Sequence, residues 1–207
     1  SIMSPSSACG IVGVKPTVGL VSRAGIVPIS ASQDTAGPMT RTVRDAAIVL
    51  GVLAGTDPRD AATQLRPAAW SADFSSHVVG HALKGARLGV VRGPFGFHPR
   101  MEAMLDEIVR TLRAAGAEVI DPVKIPTMGK LSAIQGALLS YEFKDGLNRY
   151  LAEPGRVTPI KLLAEAIAFN EAHAAEELRY FGQEEFIAAQ ARGSLTEQAY
   201  LDVRAAC

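Results

Sequence analysis

The stretch that most constrains this chain is residues 85–123. Ala86 to Val91 is a short apolar run that reads as a strand, and Gly93-Pro94 breaks it. From Pro99 to Ala115 the pattern changes. Met101, Met104, Leu105, Ile108, Val109 and Leu112 recur on one helical face, and Gly116 stops the helix. Ala117 to Val123 then reads as a second strand. Two strands joined by a single helix of this length imply a right-handed crossover between parallel strands. The expectation is an α/β architecture.

Composition agrees with a packed chain. Of 207 residues, 48% are apolar and 20% charged, with 19 glycines and 12 prolines, which is globular rather than disordered or fibrous. Lys plus Arg and Asp plus Glu both total 21. A net charge of zero, without interleaved aromatic and basic residues, argues against a nucleic-acid partner. Residues 1–100 carry 10 basic and 5 acidic side chains, and residues 101–207 carry 11 and 16, a mild split of ordinary solvated surfaces. Two cysteines cannot build a disulfide framework, and Cys9, set among small and apolar residues, is expected to be a buried thiol. No run of 18 apolar residues exists, so no membrane span is expected, and residues 1–15 do not have the form of a signal peptide.

The first 42 residues hold 11 Ser or Thr residues, and no aromatic residue appears before Trp70. Ile11, Val12 and Val14 suggest a short buried strand ending at Lys15-Pro16. Val18 to Val21 suggests another extended piece, and Gly19, Gly25 and Gly37-Pro38 mark turns. Thr40 or Thr42 can cap a helix carrying Val43, Ala46, Ala47, Leu50, Leu53 and Ala54, which Gly55 ends. Residues 56–84 read as a long connection. Beyond the crossover the chain reads as helical over Leu131–Leu151, Pro159–Phe169, Ala172–Ala191 with a break at Gly182, and Thr196–Ala206. Both ends look interrupted. The chain opens in a dense mix of small residues and closes at Cys207 without a glycine cap.

Several residues invite a chemical reading. A chain that starts with Ser1 could use its own α-amine as a general base, or Ser1 could simply be where the chain was cut. Lys15 and Asp34 lie in the glycine-rich region, where Asp34 can accept backbone N–H bonds and fix a loop. Arg41 and Asp45, four apart, can pair at a helix start. His77 and His81 share helical spacing, but no Cys-His cluster accompanies them, so no metal site is expected.

The order of motifs in residues 1–60 is more specific. It runs through Ser1-Ile2, Pro5, Gly10-Ile11-Val12-Gly13-Val14-Lys15-Pro16-Thr17 and Gly19-Leu20-Val21-Ser22-Arg23-Ala24-Gly25. It continues with Ser32-Gln33-Asp34-Thr35-Ala36-Gly37-Pro38, Arg41-Thr42-Val43-Arg44-Asp45-Ala46 and Gly55-Thr56-Asp57-Pro58-Arg59-Asp60. This closely resembles the second half of the amidase signature, the diagnostic region of serine hydrolases that cleave carboxamides. Leu139-Ser140-Tyr141-Glu142-Phe143-Lys144, Ile167-Ala168-Phe169-Asn170 and Phe181-Gly182-Gln183-Glu184 resemble the bacterial peptide amidase branch, whose members release ammonia from C-terminal peptide amides.

The resemblance implies an α/β/α fold with a mixed, partly parallel central sheet flanked by helices, only part of which lies in this chain. Residues 1–60 would be the C-terminal half of the signature core. Residues 61–207 would continue the same domain, with the βαβ unit at 85–123 and a helical, substrate-side layer at 129–207. The nucleophile implied is Ser1, with a lysine and a cis-peptide serine upstream as its proton relay. Met3 stands where many relatives carry an arginine that organises the serine network, and it brings no such donor. Met3, Lys15 and Asp34 are expected to be structural neighbours of the site, and Tyr141, Phe143 and Phe169 to line an acyl-side pocket. The implied substrate is a small-molecule or short peptide amide, and no cofactor or metal is required. The remaining partners would be the upstream and downstream parts of the same polypeptide. The compartment is left between bacterial cytoplasm and periplasm.

Two other readings stand beside this one. Ser1 could be the mature N-terminus of an N-terminal nucleophile hydrolase, which needs stacked sheets in four layers. The chain could also belong to a noncatalytic amidase-like scaffold or an amidotransferase-type subunit.

Overall fold

The computed structural model describes residues 2–65, 73–93 and 98–207. Compactness divides them into two units. Residues 73–129 form one, and the described residues before and after them form the other. No composition shift marks this division.

The first unit opens with helix α1, Met3–Cys9, closed by Gly10 in the left-handed region at φ 63°. The sequence carries no hint of this helix. Met-Ser-Pro-Ser-Ser-Ala-Cys has no apolar period, and its serines usually mark turns. Pro5 is tolerated because it sits in the first turn, where no intrahelical donor is needed. Strand β1 (Val12–Gly13) pairs antiparallel with β2 (Met39–Thr40), Val12 opposite Thr40 and Gly13 opposite Met39. The apolar run at 11–14 is therefore a two-residue strand, half-buried rather than a core strand. Val21 makes a single antiparallel bridge to Ala54, with Leu20 and Val21 both buried. Helix α2, Val43–Leu53, is capped by Thr42, whose hydroxyl accepts from the Asp45 N–H at 3.1 Å. Asp45 thus meets the cap, and among the described residues no ion pair joins its carboxylate to Arg41. A 3-10 turn follows at Ala61–Leu65.

Five helices complete this unit: α4 (Ser132–Leu151), α5 (Leu163–Ala172), α6 (Ala174–Glu177), α7 (Glu184–Gln190) and α8 (Gln198–Ala206). Helix α4 organises them. Leu138 and Tyr141 pack with Tyr200 of α8, and Leu147 packs with Leu163 of α5 and Ala189 of α7. Helix α5 starts four residues later than the apolar pattern suggests. Its start is set by polar bonds, because Glu165 accepts from the N–H groups of Lys161 and Leu162 and Asn148 accepts from Leu163 N–H at 2.8 Å. The break expected near Gly182 separates α6 from α7.

The second unit contains a 3-10 turn at Phe74–His77, strand β3 (Arg87–Gly89), helix α3 (Pro99–Ala114) and strand β4 (Glu118–Ile120). β3 and β4 are parallel, with Leu88 opposite Val119, so the strand–helix–strand reading holds. Pro94 of the expected break lies outside the described residues. His98 caps α3 through its ring nitrogen, and Gly116 leaves the helix at φ 90°. Arg92 joins the unit by pairing with Asp121 at 2.7 Å and Asp106 at 2.8 Å.

The fold is thus mixed α/β, with small parallel and antiparallel sheets flanked by helices, as a partial α/β/α fold requires. The sheets among the described residues have two strands each, which is not the stacked arrangement of the N-terminal nucleophile reading. No helix among the described residues is long and apolar enough to cross a membrane.

Candidate active site

Ser1 lies outside the described residues, but the segment that follows it is tightly seated. Ile2 packs on two glycines. A Cβ placed on Gly13 would lie 3.1 Å from Ile2 Cγ2, and one on Gly37 would lie 2.8 Å from Ile2 Cδ1. Gly37 also faces the Val14 carbonyl so closely that no side chain fits there. Glycine is required at 37 by close approach, not by backbone angle. The residue after Ser1 is therefore held against the junction of β1 and the segment entering β2.

The chain between β1 and β2 is an irregular loop held by three carboxylates. The first is Asp60. It accepts from the Arg23 backbone N–H and Nε, both at 2.9 Å, and from Arg23 Nη2 at 2.7 Å. The remaining guanidinium nitrogen donates to the Ala31 carbonyl at 2.5 Å. This forked pairing is the strong form of a charge-assisted bond. The Arg23 hydrogen bonds hold the Asp60 carboxyl down to about 2. The second is Asp34, which accepts from the Ile29 and Ser30 N–H groups at 2.7 and 2.8 Å, closing its own loop.

The third comes from far along the sequence. Glu142 of α4 is buried, 2% exposed. Its Oε2 accepts from Ser30 Oγ at 2.5 Å, Ser32 N–H at 2.9 Å and Ser32 Oγ at 2.9 Å, while its Oε1 accepts from the Tyr200 hydroxyl at 2.9 Å. Burial pushes this carboxyl up, but the donors from Ser30, Ser32 and Tyr200 outweigh it and hold it below the usual carboxylate range. An ionised, fully bonded carboxylate thus ties the loop to α4 and α8.

Two cavities flank the loop. One, of about 300 Å³, is lined by Arg23, Ile26, Pro28, Asp34, Arg149 and Tyr150 among others. Its charged walls are already engaged, Arg23 with Asp60 and Arg149 with Asp145. The other, of about 480 Å³, lies between Ser32-Gln33 and α4, with Leu131, Gln135 and Leu138 on that side and Arg204 on its wall. Gln135 Nε2 donates to Gln33 Oε1 at 3.2 Å.

The residues singled out from sequence fall in different places. Asp34 lies in the loop and lines the first cavity. Met3 is on α1 with its side chain more than half exposed, and Lys15 is exposed just after β1. Tyr141, Phe143 and Phe169 are not brought together. The buried Tyr141 donates its hydroxyl to Glu197 and packs on Tyr200, with ring centroids 5.6 Å apart. Phe143 packs on Phe186 between α4 and α7, and Phe169 stacks on His173 at 4.2 Å. None of the three lines either cavity described above. Cys9, the last residue of α1, is exposed rather than buried. Among the described residues, no group of three or more His, Cys, Asp or Glu could hold a metal ion.

Local spacing does not reveal Glu142 or the Gln33–Gln135 pair, because their partners are more than 100 positions away. Glu142 carries one readable signal: it is an acidic residue four positions after Leu138, on the helix face that carries the core.

Comparison with known proteins gives one consistent result. The family model described as "Amidase" matches residues 1–202. The structure of native peptide amidase from Stenotrophomonas maltophilia superposes on the whole chain with a TM-score of 0.93 at 44% identity, the chain covering 42% of that protein. An Arabidopsis thaliana protein named as a probable amidase is 40% identical over 205 residues, 96% of this chain and 38% of its own length. A glutamyl-tRNA(Gln) amidotransferase subunit from Roseiflexus castenholzii is 40% identical over 163 residues, 75% of this chain and 32% of its own length. The chain thus spans about two fifths or less of these relatives. By the match across nearly its full length, this chain belongs to the amidase signature family.

Proposed function

We propose that this chain is the nucleophile-bearing part of an enzyme that hydrolyses carboxamides to carboxylate and ammonia, acting on C-terminal peptide amides or small amides. The observation that carries the reading is the superposition of the whole chain on the Stenotrophomonas maltophilia peptide amidase at 44% identity and a TM-score of 0.93. The tight seating of Ile2 supports it, since a nucleophile needs a rigid neighbour.

In this mechanism Ser1 Oγ attacks the amide carbon. Its proton passes to a cis-peptide serine and on to a neutral lysine, both supplied by upstream polypeptide. Backbone N–H groups hold the oxyanion of the tetrahedral intermediate. The relay then protonates departing ammonia, and water hydrolyses the acyl-enzyme. The lysine is neutral because burial disfavours its charged form. Met3, Lys15 and Asp34 are structural neighbours of the site, and Asp34 acts by closing the loop between β1 and β2. Tyr141, Phe143 and Phe169 shape the acyl side through the packing of the helical layer rather than as one wall.

The test is ammonia release from an N-acyl dipeptide amide by the full-length protein. Turnover that is abolished by Ser1→Ala supports the reading. Turnover that survives Ser1→Ala refutes it. A second reading is an amidotransferase-type subunit, since the Roseiflexus castenholzii relative is named as an amidotransferase subunit. Ammonia release that needs a copurifying partner would favour it.

A further inference from the structure

We propose that the outer face of helix α2 is an intramolecular docking surface, covered by the polypeptide that precedes Ser1; this rests on the reading of the chain as the nucleophile-bearing part of a longer enzyme.

Helix α2 is apolar on every side past its first turn. From Ala46 to Leu53 it carries no polar side chain. Among its residues only Ala46 and Leu50 are buried, and the helix packs on β1 and β2. Ile48 and Val52 lie on the far side of the helix from Ala46 and Leu50, two residues further on in each case. They are 49% and 81% exposed. Val49 and Leu53 widen the same stripe and are exposed as well. A surface helix keeps a polar face toward water, whereas a helix that is apolar all round is buried all round. The sequence builds two apolar faces here, and the described residues cover one.

The area of the chain agrees. It exposes 13830 Å². Two separate globules of the sizes of its two units would expose about 11,000 Å². Crediting the 12 residues outside the description with the exposure of an unfolded chain accounts for about 1,800 Å² more. About 1,000 Å² is left over, above the roughly 800 Å² that one partner buries in a standard interface.

The occupant that fits is polypeptide of the same chain. The apolar stretch of α2 is far short of the roughly 20 residues that span a bilayer. The stripe is four side chains on one helix, less than the roughly 800 Å² patch by which a separate partner or a second copy stays bound. A covalently attached segment needs no such area, because its docking is already intramolecular. The relatives supply the length, since this chain covers 42% of the Stenotrophomonas maltophilia enzyme and 38% of the Arabidopsis thaliana protein. The seat of Ile2 supplies the direction. Ile2 is wedged against Gly13 of β1 and against Gly37, and Val14 N–H donates to the Pro38 carbonyl at 3.1 Å. Polypeptide entering at Ser1 therefore arrives at the ladder on which α2 packs. The other end of the chain, on α8, packs with α4 instead. Docking on α2 holds the incoming chain against the same ladder that seats Ile2.

Two measurements on the full-length protein test this. Val52→Ala separates a covered face from a solvated one. On a solvated face it raises helix propensity, and the thermal midpoint stays or rises. On a covered face it opens a cavity, and the midpoint is expected to fall by about 3 °C or more. A midpoint that stays or rises overturns the proposal. Val52→photo-leucine, a diazirine side chain of similar size, identifies the occupant by irradiation and peptide mass mapping. The expected product is a cross-link within one molecule to a peptide from before Ser1. A cross-link only to residues from Ser1 onward, to a second copy or to water overturns the proposal. Neither measurement reads turnover. An inactive protein that gives both expected results counts against the proposed function alone, and an active one that gives neither counts against the docking surface alone.

Discussion

At the scale of single residues, Glu142 bears the greatest consequence. One buried carboxylate satisfies four donors from three residues, Ser30, Ser32 and Tyr200. Glu142→Ala would strand those donors in a dry site, and we expect a loss of about 2–4 kcal/mol in urea denaturation. Its titration predicts a pH dependence. The folded carboxyl sits below its unfolded value, so the unfolded state binds the proton more readily. Stability from this group is full above the unfolded value and is lost as pH falls through the folded one. Asp60, held down to about 2 by Arg23, behaves in the same sense. Acid unfolding should therefore steepen between about pH 4 and pH 2. Glu142→Gln should flatten that slope, and a slope equal to wild type would show that Glu142 is not the group responsible. Neither carboxylate's partner can be read from sequence. Arg23 and Asp60 stand 37 positions apart and Glu142 and Ser30 stand 112 apart, and local spacing carries no trace of pairs that meet only through the fold.

At the scale of elements, legibility follows local physics. Helix α2 is readable because its cap and apolar period are both local, and Thr42 does cap it. Removing that cap by Thr42→Ala should cost about 1 kcal/mol, measurable as a lower thermal midpoint. The β3–α3–β4 crossover is readable because glycine and proline punctuate an amphipathic helix. Helix α1 is not. It has no apolar stripe, and it forms because Ser6 is buried against Gly13 and Ile2 against Gly37. Those contacts are tertiary. Gly37→Ala places a methyl against the Val14 carbonyl, and we expect it to displace Ile2 and reduce turnover by at least about tenfold in the full-length enzyme, with a smaller effect on KM. Wild-type kcat in Gly37→Ala would show that the seating of Ile2 does not position the nucleophile. The resemblance places Tyr141, Phe143 and Phe169 along an acyl-side pocket; in the fold Tyr141 and Phe143 turn to different core clusters and Phe169 stacks on His173.

At the scale of the whole molecule, the family is legible from the order of motifs in residues 1–60, and the match over residues 1–202 agrees. The relatives are about two and a half times as long as this chain. On the proposed reading the nucleophile lies here and its relay upstream, and the reacting groups act as a unit. The 207-residue chain alone is therefore expected to release no ammonia from a dipeptide amide. Release that is lost in Ser1→Ala would show that the relay is not needed. The most direct test of the nucleophile is an acid quench of the full-length enzyme during turnover of an N-acyl dipeptide amide, followed by peptide mass mapping. The expected result is the acyl mass on Ser1, within the tryptic peptide that ends at Arg23. Steady ammonia release with the acyl group on another residue, or undiminished in Ser1→Ala, would contradict it.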